Sequence, residues 1–309
     1  MAILFRSSSA ATTRWQPLLA ELMPEHEVRF WPEIGDPADI EYAMVWQPPP
    51  GLLASLPKLK LICGLGAGID HLVRDPDLPR HVPIMRLVDP YMTDAMSEYV
   101  VLSVLRLHRQ DLDYLAQQRA EIWEERDQKN ACERSVGILG FGTLGQDAGR
   151  KLKALGFPVA GWSRSAKEVA GFATFAAQDG LDALLARSEI LVCLLPLTAE
   201  TEGILNAGLF ARLARGAGLV NAGRGGHLVE ADLIPALDSG QLSGAVLDVV
   251  REEPLPKGHP FWHHPRIIVT PHIAAETHPP TATRIIGDAI RRFAKGKPVA
   301  NIVDLAKGY

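Results

Sequence analysis

The chain has 309 residues, 47% of them hydrophobic and 22% charged, which is long enough for two globular cores and too apolar for a disordered polymer. A formal net charge of −4 without Lys/Arg runs excludes a nucleic-acid surface, because phosphate binding depends on clustered cations. No stretch approaches the ~20 apolar residues of a membrane span, and the first apolar run is too short for a signal sequence, so no membrane partner and a cytoplasmic location are expected.

In chain order, apolar runs at 2–5, 28–30, 42–45, 59–63 and 84–86 alternate with helical patterns and predict a small α/β unit. The run 59–63 ends in Gly64-Leu65-Gly66-Ala67-Gly68, whose successive backbone N–H groups can form a nest for a carboxylate. The helix behind it is short and carries no Lys-Ser/Thr, which disfavours a second phosphate site. Residues 94–108 predict a helix apolar nearly all round, hence buried, with a surplus face suited to a subunit interface and a homodimer. Trp123 beyond it suits a lid over the site or a surface position.

The next run, 135–139, leads into Gly140-Phe141-Gly142-Thr143-Leu144-Gly145 and a helix at 143–154, the strand–turn–helix setting that a dinucleotide fingerprint requires. Glycines there permit the tight turn, the approach of the backbone to pyrophosphate and close helix packing, and the helix N-terminus offers free N–H groups. The second strand, 158–162, ends in Ser163-Arg164-Ser165 where an NAD-binding carboxylate would stand. Two hydroxyls and a guanidinium there suit a 2′-phosphate, so NADPH is expected over NADH. Runs at 190–194, 218–221, 245–248 and 267–270 complete six strands of a Rossmann-type doubly wound parallel sheet, and a last helix is predicted at 277–295. Cys63, Cys132 and Cys193 are scattered without metal spacing and read as reduced residues. The adjacent His263 and His264 do not readily converge on one ion, so no metal is expected.

Three residues sit where later strands run out: Arg224, Glu253 and His272. Hydride addition to a carbonyl leaves negative charge on oxygen, so a proton donor titrating near neutral pH is needed, and imidazole suits that role. A carboxylate on its other ring nitrogen fixes the tautomer and favours the imidazolium. A guanidinium can hold a substrate carboxylate and polarise the carbonyl. Together they read as machinery for reducing a 2-keto acid.

The chain resembles the D-isomer-specific 2-hydroxyacid dehydrogenases, and within them the glyoxylate/hydroxypyruvate reductase A group. The resemblance is carried by Val45-Trp46-Gln-Pro-Pro, Gly64–Asp70, Gly140–Gly145, Leu195-Pro196-Leu-Thr198-Ala-Glu-Thr201, Val220-Asn-Ala222-Gly-Arg224-Gly, Leu247-Asp248 through Glu253-Pro-Leu, and Val269-Thr-Pro-His272. It implies catalytic roles for Arg224, Glu253 and His272. It further implies that Pro196, Thr198, Thr201 and Ala222 lie beside the cofactor, that Asp248 accepts from the nicotinamide carboxamide, and that Trp46 walls a pocket for a small acyl group next to Leu65, Gly66, Ala67 and Gly68. Residues 97–276 would then form the NAD(P)-binding domain, and 1–96 with 277–309 a smaller, discontinuous flavodoxin-like substrate domain joined to it by a hinge. The expected reaction is NADPH-dependent reduction of glyoxylate or hydroxypyruvate to a D-2-hydroxy acid. Three alternatives are a dehydrogenase for larger 2-keto acids, one for an unusual anion such as phosphite, and a cofactor-sensing binding protein without chemistry.

Overall fold

The computed structural model describes residues 2–7 and 9–305; Met1 and 306–309, which close the predicted outer segments, lie outside the described residues. The chain divides into two compact units, Met1–Met92 with Thr277–Tyr309 and Thr93–Glu276.

The first unit contains β1 (Ala2–Arg6), α1 (Ser9–Leu22), β2 (Glu27–Phe30), β3 (Ile40–Val45), β4 (Leu61–Gly64), α2 (Asp70–Val73) and β5 (Ile84–Met85). Its strands pair in parallel in the order β2-β1-β3-β4-β5, the flavodoxin-like order, whose ligand position is at the carboxyl ends where the winding reverses. Ile3, Leu4, Val45 and Ile62 are fully buried, as expected for strands covered on both faces.

The boundary between the units falls within α3 (Pro90–His108), which starts four residues before the predicted Asp94. Pro90 takes the first helical position, where its missing N–H costs nothing, and Asp89 accepts from the Tyr91 N–H at 3.0 Å. The helix is not buried all round. Met96, Val100, Val104 and Leu107 enter a core, while Leu102 is 48% exposed.

The second unit continues with α4 (Asp111–Arg119), β6 (Val136–Leu139), α5 (Thr143–Ala154), β7 (Val159–Ser163), β8 (Ala173–Ala176), α6 (Ala177–Leu185), β9 (Ile190–Cys193), α7 (Ala207–Phe210), β10 (Ala217–Asn221), α8 (Glu230–Asp238), β11 (Leu242–Leu247) and β12 (Ile267–Val269). Seven parallel strands run β12-β11-β10-β9-β6-β7-β8, one more than predicted. The additional strand, β8, is a four-residue edge strand without a buried position, so it lacks the continuous apolar run that marks the other six. Side chains alternate across the sheet. Val136, Ile138, Val192, Val220 and Val246 meet α3 and α5 on one face, and Leu139, Leu191, Leu219 and Leu247 meet α6, α7 and α8 on the other. Helices on both faces make the sheet doubly wound.

The chain then returns to the first unit as α9 (Pro279–Ala294), burying Ala282, Ile286 and Ile290. A Cβ on its Gly287 would stand 3.3 Å from Met23 Cγ, so glycine permits the close approach to the end of α1. Among the described residues, no helix is long and apolar enough to cross a membrane.

Candidate active site

The fingerprint turn is shaped by two glycines that cannot carry a side chain and one that faces open space. Gly140 has φ +91°, and a Cβ there would lie 2.5 Å from the Leu194 carbonyl oxygen. A Cβ on Gly145 would lie 2.4 Å from the Gly140 oxygen. At Gly142, by contrast, a Cβ would meet nothing within 4 Å among the described residues. Gly142 is the N-cap of α5 and supplies no side-chain cap, so the N–H groups around Thr143 and Leu144 are available to an anion. This predicts a contrast between two variants. Gly145→Ala should destabilise the fold by about 1–3 kcal/mol through overpacking. Gly142→Ala should leave the melting temperature unchanged and weaken dinucleotide binding, read by thermal denaturation and calorimetry; equal melting losses in both would contradict this division.

Ser163 closes β7 with its Oγ buried and without a hydrogen-bond partner among the described residues. A buried hydroxyl left unpaired costs free energy, and a ligand oxygen at this edge would relieve it. Arg164 and Ser165 are exposed, and the positive charge of Arg164 contributes to holding the Glu200 carboxyl below its ordinary range, after the Thr198 hydroxyl and the Glu200 backbone N–H. The loop carrying Glu200 is tied internally: Thr201 Oγ1 donates to the Pro196 carbonyl at 2.7 Å and accepts from the Thr198 N–H at 2.8 Å. Ala222 is buried just past β10. These residues fit a dinucleotide, with a glycine cradle for the pyrophosphate and an unsatisfied hydroxyl beside a cation at the ribose end.

The predicted trio lies within the second unit. His272 Nδ1 and Glu253 Oε2 are 2.9 Å apart. Burial opposes the charge on Glu253, but the hydrogen bond and charge of His272, the Val250 N–H and the charge of Arg224 outweigh it and hold the carboxyl below its ordinary range. Arg224 therefore acts electrostatically on the pair. Its Nη1 donates to the Gly223 carbonyl at 2.8 Å. Asn221, fully buried at the end of β10, accepts from the Gly223 N–H at 3.2 Å and donates to the Arg224 carbonyl at 3.1 Å.

His272 has φ +56°, a left-handed conformation that a non-glycine residue holds only when its surroundings impose it. Asp248 imposes it here. The Asp248 backbone carbonyl accepts from the His272 N–H at 2.8 Å. Its carboxylate accepts from the Thr270 hydroxyl at 2.7 Å and from the N–H groups of Ile273 and Ala274 at 2.9 Å each. Since Thr270 donates to Asp248, the Tyr99 hydroxyl 2.7 Å away must donate to Thr270. Burial pushes that phenol up to about 12, so it keeps its proton. The sequence reading did not include Asn221, Thr270 or Tyr99, and it gave Asp248 a cofactor contact; the structure commits the Asp248 carboxylate to the loop that carries the acid.

Trp46 and Leu65–Gly68 belong to the first unit. The Trp46 indole lies against Gly66, where a Cβ would be 2.7 Å from Trp46 Cζ3, and its centroid is 4.5 Å from the His71 ring. Arg6 Nη1 donates to the Trp46 carbonyl. Leu65 N–H donates to the Val45 carbonyl at 3.0 Å and Gly66 accepts from Leu87 at 3.1 Å, whereas no described residue accepts from the N–H of Gly66, Ala67 or Gly68. Those donors remain for an anion.

Outside the site, Trp123 is 99% exposed, His263 faces solvent and His264 pairs with Asp238 at 3.3 Å. Among the described residues, no cluster of His, Cys, Asp and Glu could hold a metal ion.

Residues 101–274 match the family model of the D-isomer specific 2-hydroxyacid dehydrogenase NAD binding domain. The chain is 41% identical over its full length to the full-length glyoxylate/hydroxypyruvate reductase A of Yersinia enterocolitica, and 42% identical to that of Serratia proteamaculans over the same extent. Among solved structures, it is similar to a D-isomer specific 2-hydroxyacid dehydrogenase from Xanthobacter autotrophicus Py2 in complex with NADPH and MES. That match has a TM-score of 0.94 and 42% identity, covering 100% of this chain and 99% of that one. The NADPH-dependent glyoxylate/hydroxypyruvate reductase of Sinorhizobium meliloti, in complex with NADP and sulfate, matches with a TM-score of 0.92 and 41% identity over 100% of both chains. With its fingerprint, its Arg, Glu and His at successive strand ends and this full-length similarity, the chain belongs to the D-isomer specific 2-hydroxyacid dehydrogenase family.

Proposed function

We propose that this protein is an NADPH-dependent reductase of small 2-keto acids, glyoxylate and hydroxypyruvate first, forming D-2-hydroxy acids. The carrying observation is the 2.9 Å Glu253–His272 pair under the charge of Arg224, in the same unit as the Gly140–Gly145 fingerprint. Full-length relatives named glyoxylate/hydroxypyruvate reductase A support the substrate class. A reduced nicotinamide bound at this fingerprint supplies the hydride. His272, held by Glu253, gives the proton to the developing alkoxide. Arg224 anchors the substrate carboxylate and polarises the carbonyl, with the Gly66–Gly68 N–H groups as further donors to the carboxylate and Trp46 limiting the acyl group to a small one.

Gly140, Gly142, Thr143, Leu144 and Gly145 would hold the pyrophosphate, and Pro196, Thr201, Ala222 and Asp248 the nicotinamide half. Ser163, Arg164 and Ser165 would hold the 2′-phosphate, one or two charge-assisted contacts worth roughly 1.5–3 kcal/mol each. The expected preference for NADPH over NADH is therefore at least about tenfold. Ser163→Asp with Arg164→Ala should reverse it, because a carboxylate repels the phosphate and accepts from free ribose hydroxyls. Glyoxylate reduction with each cofactor at equal concentration tests this; equal use of both by the native protein would refute the role of Arg164.

The homodimer is part of the same proposal. It is supported by the exposed Leu102 on α3, together with Leu115, Ile122 and Trp123 beyond it, an apolar set that a second copy would cover. Scattering mass decides it. A cytoplasmic setting is supported by three free cysteines, two of them buried, with burial pushing both of those thiols up to about 12.

A further inference from the structure

We infer that His227 is a positioning residue that sets the substrate anchor and the cofactor loop together, through the two nitrogens of one ring. The inference rests on the roles proposed for Arg224 and for the Pro196–Thr201 loop. His227 is fully buried, three residues beyond Arg224, and its imidazole lies beneath the turn that carries the guanidinium. A Cβ on Gly223 would be 3.0 Å from both His227 Cε1 and Nδ1, so the turn passes over the ring because residue 223 is a glycine.

His227 Nδ1 accepts from the Arg224 backbone N–H at 3.1 Å. That nitrogen therefore carries the lone pair, and the ring proton is on Nε2. Nε2 is 3.3 Å from the Pro196 carbonyl and donates to it. Only this neutral tautomer serves both partners, since a proton on Nδ1 would face the Arg224 N–H.

The Pro196 carbonyl is the same oxygen that accepts from Thr201 Oγ1, so the ring fixes the loop at its internal tie. Main-chain bonds hold the ring's own segment: His227 N–H donates to the Arg224 carbonyl at 3.1 Å, and Leu205 N–H to the His227 carbonyl at 2.9 Å. Asn221 clamps the Arg224 turn through Gly223 and the Arg224 carbonyl. Arg224 is thus gripped from its N–H by His227 and from its carbonyl by Asn221, and only the His227 grip extends to the cofactor loop.

The two functions of the ring can be separated chemically. An Asn side chain places an amide oxygen near the position of Nδ1 but does not reach Pro196, whereas a Gln side chain places an amide nitrogen near Nε2. His227→Asn should keep the affinity for oxalate, a small dicarboxylate probe of the Arg224 anchor, and weaken NADPH about tenfold. His227→Gln should keep NADPH and weaken oxalate about tenfold. Tenfold corresponds to ~1.4 kcal/mol, the worth of one neutral hydrogen bond.

Both dissociation constants are measured by calorimetry on the folded full-length chain, with melting temperatures recorded alongside and glyoxylate KM compared with NADPH KM. Opposite selectivity in the two variants establishes the linkage. Loss of both affinities together, loss of neither, or failure of both variants to fold would overturn it and reduce His227 to a packing element. If the wild-type protein binds both probes but does not reduce glyoxylate, the proposed activity fails while the positioning result is still read from the binding constants.

Discussion

Arg224→Ala is expected to lower kcat/KM for a small 2-keto acid by about 3–5 kcal/mol, a hundredfold or more, because two charge-assisted contacts to the carboxylate and carbonyl disappear together. The main chain at this position is held independently of the side chain, by Asn221 through the Arg224 carbonyl and by His227 through the Arg224 N–H. Truncation should therefore remove the guanidinium without collapsing the turn. NADPH affinity should survive, since the fingerprint lies on a different loop. Arg224→Lys should recover only part of the loss, because an ammonium cannot reproduce the planar two-pronged contact. A variant with wild-type kcat/KM would exclude Arg224 as the anchor.

Replacing the proton donor should cost as much. His272→Asn is expected to lower kcat about 10²–10⁴-fold, the range typical of a positioned general acid. The pH profile follows from the Glu253 shift. A carboxyl held below its ordinary range is ionised throughout neutral pH, so the shared proton resides on the imidazole. Reduction consumes that proton, and the rate should fall as rising pH removes it. Glu253→Gln takes away the charge that favours the imidazolium, moving the alkaline limb to lower pH. The same depression makes the stability contribution of Glu253 fully present above its unfolded pKa and lost as pH falls through the folded one. If the limb stays in place in the Gln variant, a different group is titrating.

Much of this site is legible in the chain because its parts are local. The fingerprint is six consecutive residues whose glycines answer to contacts within the same turn, and Arg224, Glu253 and His272 each follow a buried apolar run that is visible as a strand. Legibility ends where partners are distant or patterns weak. Tyr99 reaches Thr270 across 171 residues, and no local periodicity encodes that bond. Asn221 and His227 look like ordinary loop polar residues until their fully buried positions show that each hydrogen bond they make is structural. Edge strand β8 escapes notice because half-exposed positions do not produce an apolar run. The start of α3 was readable from Asp89-Pro90, a helix-initiating pair that apolar periodicity alone overlooks.

The account stands or falls on one comparison: oxidation of NADPH by the purified wild-type protein, followed by absorbance, with glyoxylate, hydroxypyruvate, pyruvate and phenylpyruvate in parallel. A small pocket against Trp46, with Arg224 holding the carboxylate and His272 supplying the proton, predicts the highest kcat/KM for glyoxylate and hydroxypyruvate, with phenylpyruvate the poorest substrate. Preference for phenylpyruvate would contradict the pocket, and NADPH left unoxidised with all four acids would contradict the proposed reduction itself.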